Sequence, residues 1–436
     1  MSARRHVAVF GLGRSGRAVV DACRRLGQSV VAYDEKASPS LDIDVEVRAP
    51  MAQTFSPDEV EVIVVNPAVP MRHSLLQRAV ADRIPVWSEI EFAYRVANAP
   101  IVAITGTNGK STTTVLTYLA LQASHSVPVL CGNIYGSGFE EQPLTAAAMN
   151  AQPHHVLVAE VSSFQLEWVS RFRPRAATIT NIGLDHLDRY LDAREYAETK
   201  LRIFSAMQPD DIAVVHRKFP ISATGAARRV MIGAHDDIAW LDEEYMHLSG
   251  KKMSRSELIS SSDLVALNMT YAGALALAVD RELDLVHLMD GFKRFRGLSH
   301  RMETVGQKDG ITVINNSMCT NPEAVMASSR SLRSSQHLLI GGVRKDLDFT
   351  DLGRYLQESG HKAYLFGQDA RLINDQMGGA HPVFATMQEA FEAALSASRP
   401  GEFVMLAPGA ASKDQFEDFR DRGNQFKTMA ESWMNR

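Results

Sequence analysis

Short apolar runs, each closed by a small or polar turn and followed by apolar positions at helical spacing, recur along the whole chain. The first is His6-Val7-Ala8-Val9-Phe10; Gly11-Leu12-Gly13-Arg14-Ser15-Gly16 then turns the chain, and residues 18–26 predict a helix stopped by Gly27. A second run, 29–33, closes on Asp34, and another, 62–65, closes on Asn66-Pro67-Ala68. The pattern restarts at Ile101, with buried strands expected at 156–158, 177–180 and 212–215. It restarts again at 311–314, followed by 338–342, 363–367 and 403–408. Apolar strands alternating with helices predict an α/β chain built on mostly parallel sheets. The restarts divide it into residues 1–97, 98–301 and 302–436.

The length of 436 residues agrees with about three domains of ~150 residues, and 45% hydrophobic residues suffice for their cores. A formal net charge of -5 gives no basic face for nucleic acid or an anionic membrane, so polyanionic ligands must be held by local sites. Cys23, Cys131 and Cys319 are far apart and lack paired metal spacing, which predicts reduced thiols and a cytoplasmic setting. No apolar run reaches the ~20 residues of a membrane span, and the first residues pass straight into a strand.

The densest chemistry sits at the second restart. An apolar strand runs into Gly106-Thr107-Asn108-Gly109-Lys110-Ser111-Thr112, and a helix can open there. Glycines let backbone N–H groups turn around a polyphosphate, Lys110 adds a point charge, and a Ser111 or Thr112 hydroxyl can hold Mg²⁺ at the helix N-terminus. The loop is shorter than the common phosphate-loop spacing. Two other strand ends carry polar clusters: Glu160, a hard oxygen ligand for Mg²⁺, and Asn181 to Tyr190, which includes Asp185, His186 and Asp188. If the three share one sheet edge, they make a phosphoryl-transfer site. Taken alone, His186 between two Asp reads more often as a capped helix start.

The first glycine turn, with Asp34 where a ribose-binding acid is expected, has the form of a dinucleotide site. A nicotinamide-dependent oxidoreductase would use that turn but leave Lys110, Glu160, His186 and Lys200 without a task. With a separate nucleotide loop downstream, the economical reading is that the first domain holds a nucleotide-bearing substrate. Arg14 and Ser15 would then meet its diphosphate.

The loop 106–111, the segments 160–167, 181–190 and 196–204, Gly297-Leu298-Ser299-His300-Arg301, Gly341-Gly342 with Lys345, and the stretches 410–416 and 422–426 together closely resemble the Mur ligases. The resemblance spans essentially the whole chain. It implies a three-domain Mur ligase architecture: a Rossmann-like N-terminal domain for a UDP-sugar substrate, a central P-loop ATPase-like domain for ATP, and a C-terminal Rossmann-like domain for an amino acid. The implied activity is the ATP-dependent ligation of D-glutamate to UDP-N-acetylmuramoyl-L-alanine through an acyl phosphate, in peptidoglycan precursor synthesis, by a cytoplasmic monomer. By the same resemblance ATP is held by Gly106 to Thr112, Asn268, Arg301 and Asn316. Two Mg²⁺ ions are held by Ser111, Glu160, His186 and a carbamylated Lys200, and the catalytic residues are Lys110, Glu160, His186 and Lys200. The substrates fall to Arg14, Ser15, Asp34, Asn133, Ser162 and Gln165, with Thr320, Lys345, Ser412 and Phe419 for glutamate.

Several positions depart from that pattern. Relatives read Asn-Asp-Ser-Lys-Ala-Thr-Asn where this chain has Asn315-Asn316-Ser317-Met318-Cys319-Thr320-Asn321, so an acid and a lysine are missing. The adenine-side motif keeps only Asn268, and His216-Arg217-Lys218-Phe219 replaces Asn-Ala-Asp-Asp. Arg344 is the cation expected to compensate for Met318. The alternatives are a different amino-acid acceptor, such as L-glutamate, or a non-catalytic nucleotide-binding homologue.

Overall fold

The computed structural model describes residues 5–34, 45–48, 58–122, 126–183, 185, 189–219, 221, 224–257, 263–295, 297–332 and 334–436. Residues 1–182, 191–258 and 267–295 form one compact unit; residues 183–190, 259–266 and 296–436 form another.

The first unit carries two parallel sheets. In the first, the strands lie in the order Val47–Arg48, Val30–Tyr33, His6–Phe10, Val60–Val65, Val86–Ser88, all parallel. The chain order reverses between the third and fourth of these, His6–Phe10 and Val60–Val65, so the Gly11–Gly16 turn opens at the carboxyl edge beside the switch point, where open α/β sheets bind ligands. A Cβ on Gly16 would strike the Gly11 carbonyl oxygen, so the helix Arg14–Arg25 can start this close to the strand only with glycine there.

The second sheet runs Arg228–Ile232, Ile212–His216, Ala176–Ile179, Ile101–Thr105, His155–Glu160, Val127–Gly132, also all parallel. Strands buried on both faces need apolar residues throughout, which is why Ile101 to Ile104 reads as a continuous hydrophobic run. Beyond it the chain adds a small antiparallel sheet, Ala239–Leu241, Tyr245–Leu248 and Lys251–Ser254.

The sequence division at residue 97 separates these sheets, yet both belong to one unit. Helices Arg14–Arg25 and Glu89–Val96 pack on the helix Leu144–Asn150, which lies against the second sheet. Polar links reinforce the packing. The buried Glu89 carboxylate accepts from Thr145 N at 2.6 Å and from Gln165 Nε2 at 3.4 Å. Glu91 accepts from the N–H groups of Ser170, Arg171 and Phe172.

The second unit holds a sheet ordered Glu303–Lys308, Ile311–Asn315, Phe403–Gly409, Gln336–Gly341, Lys362–Phe366, Val383–Phe384. It is parallel except for the first pair. Among the described residues no helix is long and apolar enough to cross a membrane.

Candidate active site

The strand Ile101–Thr105 ends between Ala176–Ile179 and His155–Glu160, so the loop that follows has a strand terminus on either side. Glu160 is in register with Ile104. This places Glu160, Thr180 and Asn181 around the loop 106–110, and brings the expected strand-end clusters at 160 and 181 to one edge. Gly106 has φ of 149°, and a Cβ there would collide with the Thr180 hydroxyl, so only glycine lets the loop pass so near the neighbouring strand end. Thr180 Oγ1 and Asn181 Nδ2 donate to the Asn108 carbonyl at 2.5 and 3.0 Å, while Asn108 N donates to Asn181 Oδ1 at 3.0 Å. The loop is thus shaped by its neighbours.

Helix Lys110–Leu121 starts on left-handed Gly109. Lys110 Nζ donates to the carbonyls of Gly106 at 3.0 Å and Thr107 at 2.9 Å, which keeps the ammonium over the loop mouth. The buried Ser111 Oγ donates to Glu160 Oε2, and Asn133 Nδ2 lies 3.4 Å from Glu160 Oε1. A hydroxyl touching a buried carboxylate at a helix N-terminus is the hard-oxygen donor set that suits Mg²⁺. Thr112 is half-buried on the first turn, and Asn268 Oδ1 accepts from Thr113 Oγ1 at 3.1 Å behind the loop.

Lys200 is 1% exposed, and its ammonium donates to the Gly106 carbonyl at 2.9 Å. It also lies 4.5 Å from the Tyr196 ring centroid, one helical turn back, and Tyr196 OH pairs with Thr107 Oγ1 at 3.2 Å. Tyr196 is a contact that motif reading gave no task; its i, i+4 spacing to Lys200 was the available signal. His186 lies outside the described residues.

In the first sheet, Asp34 Oδ2 accepts from Leu12 N at 2.7 Å, so this carboxylate braces the glycine turn. Ser15 is half-buried on the first helical turn. Arg14 points away from its own sheet, donating to the carbonyls of Ile134 at 3.1 Å and Glu141 at 2.7 Å. Ser162 and Gln165 form a capping box at helix Ser163–Leu166.

The remaining residues lie in the second unit, at the carboxyl ends of its strands. A bridge from Val343 to Ala411 ties the loop bearing Lys345 to the loop bearing Ser412. Lys345 is exposed with φ of 51°, a left-handed backbone state that non-glycine residues take uncommonly. Arg422, fully buried, donates to Ser317 O at 2.8 Å, Ser317 Oγ at 3.1 Å and Ala410 O at 3.1 Å. Burial pulls its guanidinium down to about 10, so it stays charged at neutral pH. Ser317 Oγ donates to the Phe419 carbonyl at 2.7 Å. Arg422 thereby binds together the loops that carry half-buried Thr320, buried Ser412 and Phe419. Asn316 uses its amide inside the fold, accepting from Met302 N and donating to Ser328 Oγ. Beside Met318 the structure places Arg301, at 3.6 Å from the sulfur, whereas Arg344 is turned to Leu347 O and Asp346.

Known proteins match this arrangement along its length. The Mur ligase middle domain matches residues 104–274, and the Mur ligase glutamate ligase domain matches residues 300–409. The UDP-N-acetylmuramoylalanine--D-glutamate ligase of Pelotomaculum thermopropionicum is 35% identical, covering 98% of this chain and 97% of its own. That of Aquifex aeolicus is 30% identical, covering 98% and 99%. Among solved structures, the fold is shared with MurF from Acinetobacter baumannii, with a TM-score of 0.63 at 16% identity over 100% of this chain and 92% of that one. It is shared also with the MurF ligase from Thermotoga maritima in complex with ADP, with a TM-score of 0.60 at 15% identity over 99% and 96%. The chain belongs to the Mur ligase family, the ATP-dependent ligases that form amide bonds.

Proposed function

We propose that this chain joins D-glutamate to UDP-N-acetylmuramoyl-L-alanine, as a cytoplasmic monomer supplying a peptidoglycan precursor. The observation that carries the reading is the loop of Lys110 and Ser111 closed against buried Glu160 and Lys200, in a chain that follows the D-glutamate ligases along nearly its full length. The substrate carboxylate attacks the γ-phosphorus of ATP and ADP leaves. The glutamate amine then adds to the acyl carbon, loses a proton, and expels phosphate. A free carboxylate is a poor electrophile, so the first step supplies the leaving group, and its anions need counter-charge.

Lys110 gives up its loop carbonyls to meet the transferring phosphate, and Gly106 to Thr112 present N–H groups and hydroxyls. Ser111 and Glu160 would hold one Mg²⁺, with His186 and a carbamylated Lys200 serving a second; the ions spread the developing negative charge. By the resemblance Asn268 and Arg301 would also serve the nucleotide, while Asn316, its amide engaged by Met302 N and Ser328 Oγ, would support them from within the fold. The glycine turn and Ser15, with Asp34 bracing it, receive the UDP portion, and Asn133, Ser162 and Gln165 receive the muramoyl-alanyl portion. Thr320, Lys345, Ser412 and Phe419 hold glutamate, with Lys345 suited to a carboxylate. In this assignment residues 1–97, 98–301 and 302–436 carry UDP-sugar, ATP and amino acid respectively.

The test is phosphate release with ATP, Mg²⁺, the nucleotide-sugar and a panel of D-glutamate, L-glutamate, D-aspartate, L-alanine and a dibasic amino acid. Release that requires both the nucleotide-sugar and D-glutamate supports the reading. Release with another acceptor moves the specificity, and none with any acceptor removes the enzyme assignment.

A further inference from the structure

Arg14 sits in the glycine-rich turn of the first sheet, where a cation ordinarily suggests a phosphate contact. Its side chain is committed elsewhere. One Nη donates to the Ile134 carbonyl and the other to the Glu141 carbonyl, and the guanidinium lies 4.6 Å from the Tyr135 ring centroid. These residues bound a loop, 133–141, that leaves the second sheet after the strand Val127–Gly132.

The loop's apolar anchorage is limited to Ile134 and to the Phe139 ring, which meets Tyr118 edge-on at 5.5 Å. Ile134 is buried, but Tyr135 and Phe139 are 44% and 37% exposed, and Gly136 and Gly138 take left-handed φ. Its internal order comes from Glu141, whose carboxylate accepts from Gly136 N, Ser137 N and Ser137 Oγ at 2.8, 3.1 and 2.6 Å. Arg14 then fixes that folded loop to the first sheet. The far end of the same helix is pinned likewise, Arg25 Nη2 donating to Met149 O at 3.3 Å.

At its base the loop carries Asn133. Asn133 N donates to the Glu160 carbonyl at 2.8 Å, Asn133 Nδ2 lies 3.4 Å from Glu160 Oε1, and Glu160 accepts from Ser111. A continuous path therefore runs from the glycine turn through Arg14, the loop and Asn133 to the carboxylate beside the phosphate loop.

We propose that Arg14 is a positioning residue: it latches loop 133–141 so that Asn133 and Glu160 hold fixed places relative to the glycine turn. This rests on the ligase reading above for its kinetic consequence, though the latch itself is a property of the free protein. The role needs the planar fork of arginine, whose two Nη groups span separate carbonyls while its face lies on a ring; a lysine's single compact charge cannot hold all three contacts at once. A counter-charge to a diphosphate, in contrast, would be largely served by lysine.

The experiment uses the full chain and compares Arg14→Lys, Arg14→Met and Tyr135→Leu with the parent. Amide hydrogen exchange over 134–141 is measured without ligand, UDP affinity by calorimetry, and kcat and KM for the nucleotide-sugar under saturating ATP and amino acid. The latch predicts that both Arg14 variants speed exchange in the loop by at least about tenfold. It also predicts that both lower kcat by about tenfold or more while UDP affinity changes less than about threefold. Tyr135→Leu should follow in the same direction with a smaller effect. Adding Asn133→Ala to Arg14→Met should cost little more than either change alone, because the two act along one path. Loop exchange that stays at the parent level in both Arg14 variants overturns the latch. So does activity retained in Arg14→Lys with UDP affinity lost only in Arg14→Met, which would make Arg14 a diphosphate contact. A parent protein that ligates no amino acid overturns the ligase reading instead, and the exchange measurement still decides the latch.

Discussion

Arg301 Nη2 lies 3.6 Å from the sulfur of Met318. A thioether is a soft, weak acceptor that tolerates a guanidinium without competing for its charge. Lysine at 318 would set two cations against each other. Met318→Lys is therefore expected to lower turnover, not raise it. Arg301→Ala should cost about 10²-fold or more if that charge meets the nucleotide phosphates, whereas Arg344→Ala, with its side chain engaged by Leu347 O and Asp346, should fall within about threefold of the parent. Steady-state phosphate release for the three variants checks the ordering, and a severe Arg344→Ala defect would return the compensating role to Arg344.

The contact of Ser111 with Glu160 carries a metal prediction. Ser111→Ala and Glu160→Gln should each raise the Mg²⁺ concentration needed for half-maximal turnover, and chelation should stop turnover until Mg²⁺ is restored. Lys110→Ala should remove turnover by about 10²–10³-fold with thermal stability nearly unchanged, since its partners are loop carbonyls. Unaltered Mg²⁺ dependence in Ser111→Ala would remove that hydroxyl from the metal site.

Lys200 is buried beside the loop, so a carbamate on its amine would have a direct consequence. Lys200→Ala should be inactive, and short carboxylic acids in the buffer should restore part of the activity by supplying the missing oxygens. A crystal structure of the fully active enzyme at neutral pH that shows an unmodified Lys200 amine would rule out the carbamate.

Stability in acid should depend on Glu91. Burial opposes its ionisation, yet the N–H groups of Ser170, Arg171 and Phe172 and the Arg95 guanidinium outweigh it and hold the carboxyl below its ordinary value. A carboxylate depressed on folding adds stability that is complete above its unfolded value of ~4.3 and is lost as pH falls through the lower folded value. Glu91→Gln is therefore expected to destabilise by about 1–3 kcal/mol at pH 7, with the gap to the parent narrowing below about pH 4. Denaturant melts at both pH values measure it; a gap that widens in acid would reverse the assignment.

Much of this arrangement was legible because it is local. Strands such as His6–Phe10 and Ile101–Thr105 announce themselves by unbroken apolar runs, and the glycines at 106 and 109 mark the turn that must pass close to a neighbour. The small antiparallel sheet 239–254 was not read, since its strands expose alternate residues and only Ala239, Met246, Leu248 and Met253 are buried. The edge strand Glu303–Lys308 is half-polar for the same reason. Partnerships were harder still. Arg14 in a glycine turn reads as a phosphate ligand, and nothing nearby in sequence discloses carbonyls at 134 and 141. Arg344 sits next to Lys345 in the chain, but space puts Arg301 beside Met318.

The strand Phe403–Gly409 lies inside the sheet of the second unit, between Ile311–Asn315 and Gln336–Gly341, and Arg422 follows it. On the ribosome the chain therefore has its phosphate loop long before it has the centre of this last sheet. Until residues 403–409 have emerged, the strands on either side each have one unpaired edge, and until Arg422 follows, the loops at 317 and 410 have no guanidinium to join them. Synthesis thus gives a period in which the phosphate loop and its sheet are formed while the sheet of the second unit still lacks its central strand.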